Sequence, residues 1–465
     1  MIDEADSSRK TVFYIAVGIE FVAVLIGAVL SFILASVIVK PLKKLAAYVK
    51  VIGDTKDKAR LKGKDFKIRG KDEIGQLGQV INEMTGELVR AAEEAKLSLD
   101  GKAVQNAFLP LMPGKTKIQT VAELKAPAVE CFGYYEGASG VSGDYFDYRK
   151  LDDRWYSMIK CDASGHGVPA ALIMTVVATL FREYFNTWSF SSNGNKLDVL
   201  VTKINDALES LGLKGKFAAM IICLLDTKTG DVYMCNAGDN IVHIYDSVER
   251  KQKILTLSET PAAGPLPSFM VEMKGGFKVE KTNLKKGDVL FLYTDGIEES
   301  TRLCRHPDYS IIRTESIGAD GKPVMSDGKQ VYEDKKELME PERVQGVIEA
   351  VFAKQKFVLN KEDNPVSSEV LEFDFTSCEG NLSEAILALA SVEKIFRFYK
   401  TPTASQNDTV TVDRRIDAFL KDHFNLYNYY CGNKVDIDDE NYLEYTNVME
   451  DEQLDDLTLL AVRRV

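Results

Sequence analysis

The sequence predicts an α+β protein held to a membrane, with antiparallel sheets flanked by helices, preceded by one spanning helix and a short coiled-coil module. Three observations lead there. Residues 11–39 are almost wholly apolar, with Glu20 the only charge. Two helical seams follow at once. From about Val121 the chain turns to short apolar runs bounded by Gly, Asp and Asn, in adjacent pairs and interspersed with longer helical patterns. That alternation is the mark of antiparallel sheets with helices against them.

The span comes first. Thr11 to Val39 is long enough to cross a bilayer with some tilt. It is too long for the apolar region of a signal peptide, and no small-x-small cleavage site follows it. Lys40, Lys43, Lys44 and Lys50 crowd its C-terminal side, whereas Asp3, Glu4 and Asp6 accompany Arg9 and Lys10 on the other. That asymmetry makes residues 1–10 a short extracytoplasmic stretch and puts the rest of this single-pass chain in the cytoplasm. Glu20 would be costly against lipid, so it faces a partner helix, is protonated, or lies near the outer boundary.

Composition bounds the remainder. At 465 residues and 45% apolar content, there is material for two or three domains and at least one large core. A net charge of -12 excludes a general nucleic-acid binder, because phosphate backbones reward clustered Lys and Arg. Cys131, Cys161, Cys223, Cys235, Cys304, Cys378 and Cys431 form no C-x-x-C pair, as expected of reduced cytosolic thiols rather than zinc or disulfide scaffolds.

After the span, Pro41 opens a helix with apolar Leu42, Leu45, Val49 and Ile52 at steps of three and four. Gly53 and Asp54 stop it. A polar connector leads to a second seam of Ile74, Leu77, Ile81, Met84 and Leu88. Two such short helices bury both stripes only with a second copy, as a parallel homodimer forming a four-helix bundle. Pro41-Leu42, Gly53-Asp54, and D-E-I-G at Asp72 to Gly75 followed by Asn82 and Met84 together resemble a HAMP domain over residues 40–90. The resemblance implies that Pro41 begins the first helix and Asp72-Glu73 the second, and that the module passes a motion of the membrane helices onward. Residues 91–113 read as a helical linker: Glu87 to Phe108 are good helix formers until Pro110 and Pro113.

Residues 114–465 read as the output domain. Trp155–Cys161, Ala218–Leu225, Val232–Asn236, Ile241–Tyr245 and Val289–Tyr293 are expected strands, and Pro169–Phe185 and Leu197–Leu211 expected helices. Four acidic positions stand at strand ends or in Gly-containing turns: Asp144, Asp162, Asp295 and the Asp455-Asp456 pair. Any one alone is most simply a turn residue. Several gathered at one sheet edge would repel unless hard cations neutralised them, and carboxylates with carbonyls suit Mg2+ or Mn2+.

V-S-G-D-Y-F-D from Val141, D-A-S-G-H-G-V-P-A-A-L from Asp162, N-A-G from Asn236, L-Y-T-D-G-I-E-E from Leu292 and D-D-L-T-L-L from Asp455 occur in one order. In that order they resemble the PPM-type metal-dependent protein serine/threonine phosphatases, and most closely the SpoIIE-like or RsbU-like branch. Even A-F-L-P at Ala107 to Pro110 resembles the helix end that precedes such domains. The resemblance implies an αββα sandwich and a site for two ions. Asp162 would bridge them, Asp144 and the carbonyl of Ala163 would complete one position, and Asp295 and Asp455 the other. Asp456 is the lesser candidate of its pair, and Asp147 supports the site or the structure. Two cations would activate water for in-line attack, so no protein nucleophile is required. Gly165 and Gly167 permit close backbone approach at the start of the Pro169 helix. His166 is a possible proton donor or a structural residue. The chain departs from the family at Asp239, where His more often follows N-A-G, which puts phosphate-side recognition or an auxiliary proton-transfer role in doubt and leaves the metal site intact.

Between Asp295 and Asp455 the chain is longer than this branch requires, so an insert is expected at about 303–450. Pro341–Phe352 and Leu382–Tyr399 look helical there, and Val366–Phe375 looks like a strand. The acidic run from Asp436 to Asp456 lacks the Gly of a calcium loop. A HAMP-like module also precedes histidine kinases and cyclases. However, none of His166, His243, His306 and His423 lies on the helix after it, and no G-G-D-E-F run occurs. No cysteine has Arg six residues later, as a cysteine-dependent phosphatase needs. The resemblance implies a phosphorylated regulatory protein as substrate, of the anti-sigma-factor-antagonist kind. The rival reading is an inactive phosphatase-like domain serving as a signalling scaffold.

Overall fold

A computed structural model of the chain describes residues 2–34, 36, 39–55, 58–67, 73–115, 117–138, 140–165, 167–306, 308–318, 321–326, 329–360 and 370–465. Asp72 and His166 lie outside the described residues. The chain divides into two compact units, Met1–Leu97 and Ser98–Val465.

In the first unit, helix α1 spans Ile2–Leu34, α2 spans Lys40–Asp54, and α3, Glu73–Asn106, begins. Along Val17–Phe32 of α1 the large apolar side chains stand exposed, Phe21, Val24 and Phe32 among them. Pro41 sits in the first turn of α2, where a missing N–H costs nothing. Leu45, Leu61 and Val89 are buried, yet Leu42, Val49, Leu77, Met84 and Leu88 remain exposed. Within one chain, therefore, each seam is only partly covered. Asn82 fastens the connector by accepting from the N–H of Phe66 at 2.8 Å and donating to its carbonyl at 3.0 Å.

The second unit is built on two large antiparallel sheets. One has six strands in the order β1 (Val121–Lys125), β2 (Val129–Glu136), the C-terminal strand Leu457–Arg464, β10 (Val289–Tyr293), β7 (Ile241–Asp246) and β8 (Lys251–Thr256). The other has five, in the order β3 (Tyr145–Lys150), β4 (Trp155–Ala163), β5 (Ala218–Asp226), β6 (Asp231–Ala237) and β9 (Val279–Asn283). Helices α4 (Val168–Asn186) and α5 (Leu197–Ser210) pack on the five-stranded sheet. Although α4 has the length and hydropathy of a membrane span, Ile173, Met174, Val177 and Phe181 are buried in the core. It is a core helix.

The period of two along each strand divides the interior. Leu290 and Leu292 of β10, with Leu460 and Val462 of the C-terminal strand, enter the core between the sheets. Val289, Phe291 and Tyr293, with Leu457, Leu459 and Ala461, enter a second core on the outer face. That outer face is covered by the helices Glu340–Ala353 and Leu382–Arg397, both inside the segment expected as an insert. Rather than standing apart, they complete the fourth layer of the sandwich. The physical reason is the run of buried side chains along Leu382–Arg397, which lies on β2 and the C-terminal strand and leaves no solvated face. The short strand Glu372–Asp374 pairs with Lys356–Val358; residues 361–369, where part of the Val366–Phe375 strand was expected, lie outside the described residues.

Candidate metal centre

The strand ends bring the acidic motifs to one edge. Asp162 lies near the end of β4, opposite Ala219 of β5, while Asp295 opens a single 3₁₀ turn just after β10. Asp455 precedes the C-terminal strand, whose Leu459 pairs with Tyr293 of β10. The turn and the Asp455-Asp456 segment touch. A Cβ on Gly296 would meet the carbonyl oxygen of Asp456 at 2.1 Å, so only glycine fits after Asp295. A Cβ on Gly143 would likewise meet the Ala163 carbonyl oxygen at 2.5 Å, which is why the Asp144 loop can lie against the end of β4.

Carboxylate oxygens of Asp162, Asp295 and Asp455 all lie within 4.8 Å of one another. Asp144 is outside this group of three and fully enclosed; Thr294 Oγ1 donates to its Oδ2 at 2.7 Å. Burial, with Asp162 and Asp456 nearby, pushes its carboxyl well above the ordinary value of 3.8. Asp456 points elsewhere, accepting from the N–H of Ala138 at 2.8 Å, from Ser142 Oγ at 2.5 Å and from the N–H of Gly143 at 3.2 Å. It shapes the loop before Asp144. Asp147 faces α4, accepting from Tyr145 Oη at 2.9 Å and from Arg182 Nε at 3.1 Å.

Sequence reasoning missed three groups that hold this site. Gln105, in the last turn of α3, clamps Ser142 from both sides, donating to its carbonyl at 2.6 Å and accepting its N–H at 2.9 Å. Thr294 anchors Asp144. Lys160 donates to the carbonyl of Tyr293 at 2.9 Å and so joins β4 of one sheet to β10 of the other. Only the alternation along β4 hinted at Lys160, which shares a face with Asp162. A cleft of about 230 Å³ runs beside the carboxylates, lined among others by Lys160, Asp162, Asp239, His243, Tyr293, Asp295 and Glu298.

The donor set fits hard divalent cations. Oxygen ligands converge, burial and mutual repulsion raise Asp162 to about 7 and push Asp455 upward, and such a cluster is stabilised most directly by positive charge. A pH dependence follows. In metal-free protein the folded-state value of Asp162 stands above its ordinary value of 3.8, so the folded chain keeps a proton that the unfolded chain releases between 3.8 and about 7. Stability contributed by this group is therefore lost as pH rises through that window. Thermal unfolding in chelator should find the wild type losing stability relative to Asp162→Asn across it, and parallel curves would refute the assignment.

Comparison with known proteins matches two regions of the chain. The sequence model of the family "Stage II sporulation protein E (SpoIIE)" matches residues 152–317, which include Asp162 and Asp295, and that of the "HAMP domain" matches residues 33–90. The matched regions make this a chain of mixed helix and sheet that is similar to the SpoIIE-type phosphatase domains. More narrowly, residues 152–317 are similar to the SpoIIE/RsbU-like branch of the PPM-type serine/threonine phosphatases, and a HAMP domain precedes them. Domains of this branch use divalent metal, generally Mn2+ or Mg2+, and a HAMP domain implies membrane association. Protein IcfG of Synechocystis sp. is 26% identical over 257 residues, covering 49% of this chain and 38% of IcfG. Phosphoserine phosphatase RsbP of Bacillus subtilis is 23% identical over 194 residues, covering 39% of this chain and 45% of RsbP. The chain thus spans less than half the length of either relative. Among solved structures, the SiaA-PP2C domain of Pseudomonas aeruginosa is 14% identical with a TM-score of 0.42, covering 81% of this chain and 99% of that one.

Proposed function

We propose that the chain is a membrane-anchored protein serine/threonine phosphatase that hydrolyses phosphoserine or phosphothreonine on a regulatory protein. The observation that carries this reading is the convergence of Asp162, Asp295 and Asp455 from three separate segments onto one point. In this reading Asp162, Asp144 and the Ala163 carbonyl would hold one ion, and Asp162, Asp295 and Asp455 would hold a second. Such ions, when bound, supply an activated water and neutralise the phosphoryl charge. The chain's own part is to gather the carboxylates and hold them rigid through Thr294, Gly143 and Gly296. It also offers a cleft that admits a phosphorylated side chain. The name of RsbP, a phosphoserine phosphatase, supports that substrate class, and an anti-sigma-factor antagonist is the partner we infer.

The exposed apolar stretch Val17–Phe32 supports a single span with the catalytic unit in the cytoplasm. Control would run along α3, which begins in the HAMP region and ends at the Gln105 clamp on the loop before Asp144. The uncovered Leu42, Val49, Leu77, Met84 and Leu88 support a second copy of the chain as their occupant. The double substitution Leu77→Glu with Leu88→Glu is expected to convert a dimer of the full chain in detergent to a monomer by light scattering. A dimer that survives it would rule out this seam.

The reading is tested by phosphate release from a phosphoserine protein by the full chain. Release is expected with Mn2+, none with chelator, and recovery on adding Mn2+ back. Turnover indifferent to chelator would remove the metal mechanism, and tight binding of the phosphoprotein without turnover would favour a scaffold.

A further inference from the structure

The cleft beside the carboxylates holds a cation to which no role is assigned by the family resemblance. Lys160 lies two residues before Asp162 on β4, hence on the same face, and its side chain is only 8% exposed. Its ammonium meets the Tyr293 carbonyl at 2.9 Å and Asp239 Oδ2 at 3.0 Å. An ammonium has three donors, and these partners occupy two. Lys160 and Asp239 line the cleft together with Asp162 and Asp295. His243, the other basic group in its lining, is desolvated beside Lys160 and pushed down to about 4, so it is neutral near pH 7. Lys160 is thus the one lysine or arginine among the described residues lining the cleft. It is paired with the very residue, Asp239, at which the chain departs from its family.

We propose that Lys160 anchors the phosphoryl group, donating to one of its oxygens, and that Asp239 is the counter-ion exchanged for that oxygen when substrate or product phosphate enters. The proposal rests on the phosphatase reading and adds a phosphate-binding residue to it. A buried ammonium needs an anion at all times, which Asp239 supplies in the empty cleft and the phosphoryl dianion in the filled one. The side chain of Asp239 is 21% exposed, so it can turn toward water as phosphate arrives.

The two partners should act with opposite sign. Equilibrium binding of inorganic phosphate to the Mn2+-loaded full chain is expected to weaken about tenfold or more in Lys160→Met, the loss of one charge-assisted hydrogen bond. In Asp239→Asn it is expected to tighten several-fold, because the competing anion is gone. In hydrolysis of a phosphoserine protein, Lys160→Met should raise KM more than it lowers kcat, and Lys160→Arg should restore part of the loss. Weaker phosphate binding in Asp239→Asn, or unchanged binding in Lys160→Met, overturns the proposal. If Lys160→Met does not fold, Asp239→Asn alone decides by the direction of its shift. A wild type without Mn2+-dependent turnover would defeat the phosphatase reading itself, whereas normal turnover with phosphate affinity indifferent to Lys160 defeats only this assignment.

Discussion

The Asp162→Asn substitution is expected to lower Mn2+-dependent phosphate release by about 10³-fold or more, equivalent to about 4 kcal/mol of transition-state stabilisation. The size of the effect follows from position. Asp162 is the one carboxylate tied both to the Asp295–Asp455 group and, electrostatically, to the enclosed Asp144. An amide there donates and accepts but carries no charge, so a divalent cation in the proposed site would lose a charged ligand. The same change relieves repulsion in metal-free protein, since Asp295, Asp455, Asp456 and Asp239 all oppose ionisation of Asp162. Lower activity together with equal or greater stability in chelator is the combination that marks a functional rather than a structural carboxylate. A variant that keeps wild-type turnover, measured by phosphate release at saturating Mn2+, would show that Asp162 is not a ligand.

The second large effect falls on stability. Arg397 is 1% exposed at the end of the Leu382–Arg397 helix. It donates to Glu393 at 2.5 Å, to Glu450 at 3.1 Å and to the carbonyl of Asp451 at 2.8 Å. Glu393 also accepts from Ser300 Oγ at 2.9 Å, just beyond the Asp295 turn. Replacing Arg397 by Met would leave Glu393 buried without its counter-charge, at a cost of about 3–5 kcal/mol. Denaturant unfolding of the second unit's transition should read this loss, and Arg397→Met with Glu393→Met should recover a large part of it, because a buried pair replaced together strands no charge. Full stability in the single variant would mean that the network is solvated. Loosening Asp451 also disturbs the irregular segment leading to Asp455, so weaker metal binding should accompany the instability.

Much of this architecture was legible as pattern. The strands Ala218–Asp226 and Val289–Tyr293 are nearly continuous apolar runs, because both faces of each are covered, and Trp155–Ala163 is broken only by Ser157, Lys160 and Asp162. Others were not. β8 and β9 are half-polar edge strands, and β3 carries Asp147, Arg149 and Lys150, so neither alternation nor hydropathy marks them. The segment after Asp295 was misleading for a different reason. Its helices are amphipathic in sequence, and only the docking of Leu382–Arg397 on β2 and the C-terminal strand, with Glu340–Ala353 against it and β8, reveals that they cap the sandwich.

What the sequence by itself determined is local: an apolar span, two seams at heptad spacing, and acidic residues placed beside strand ends and glycines. These are matters of period and residue type, carried by neighbours in the chain. Only the tertiary structure decided which carboxylates meet. Asp162 and Asp455 are nearly three hundred residues apart in sequence, and it is the stacking of one sheet on the other that sets their separation. The same stacking turned Lys160 toward the cleft, separated Asp456 from Asp455, and placed Gln105 against the loop before Asp144. Contacts between distant strands carry no signature in the chain around either partner, since nothing local distinguishes a carboxylate that will find others from one that will find only water.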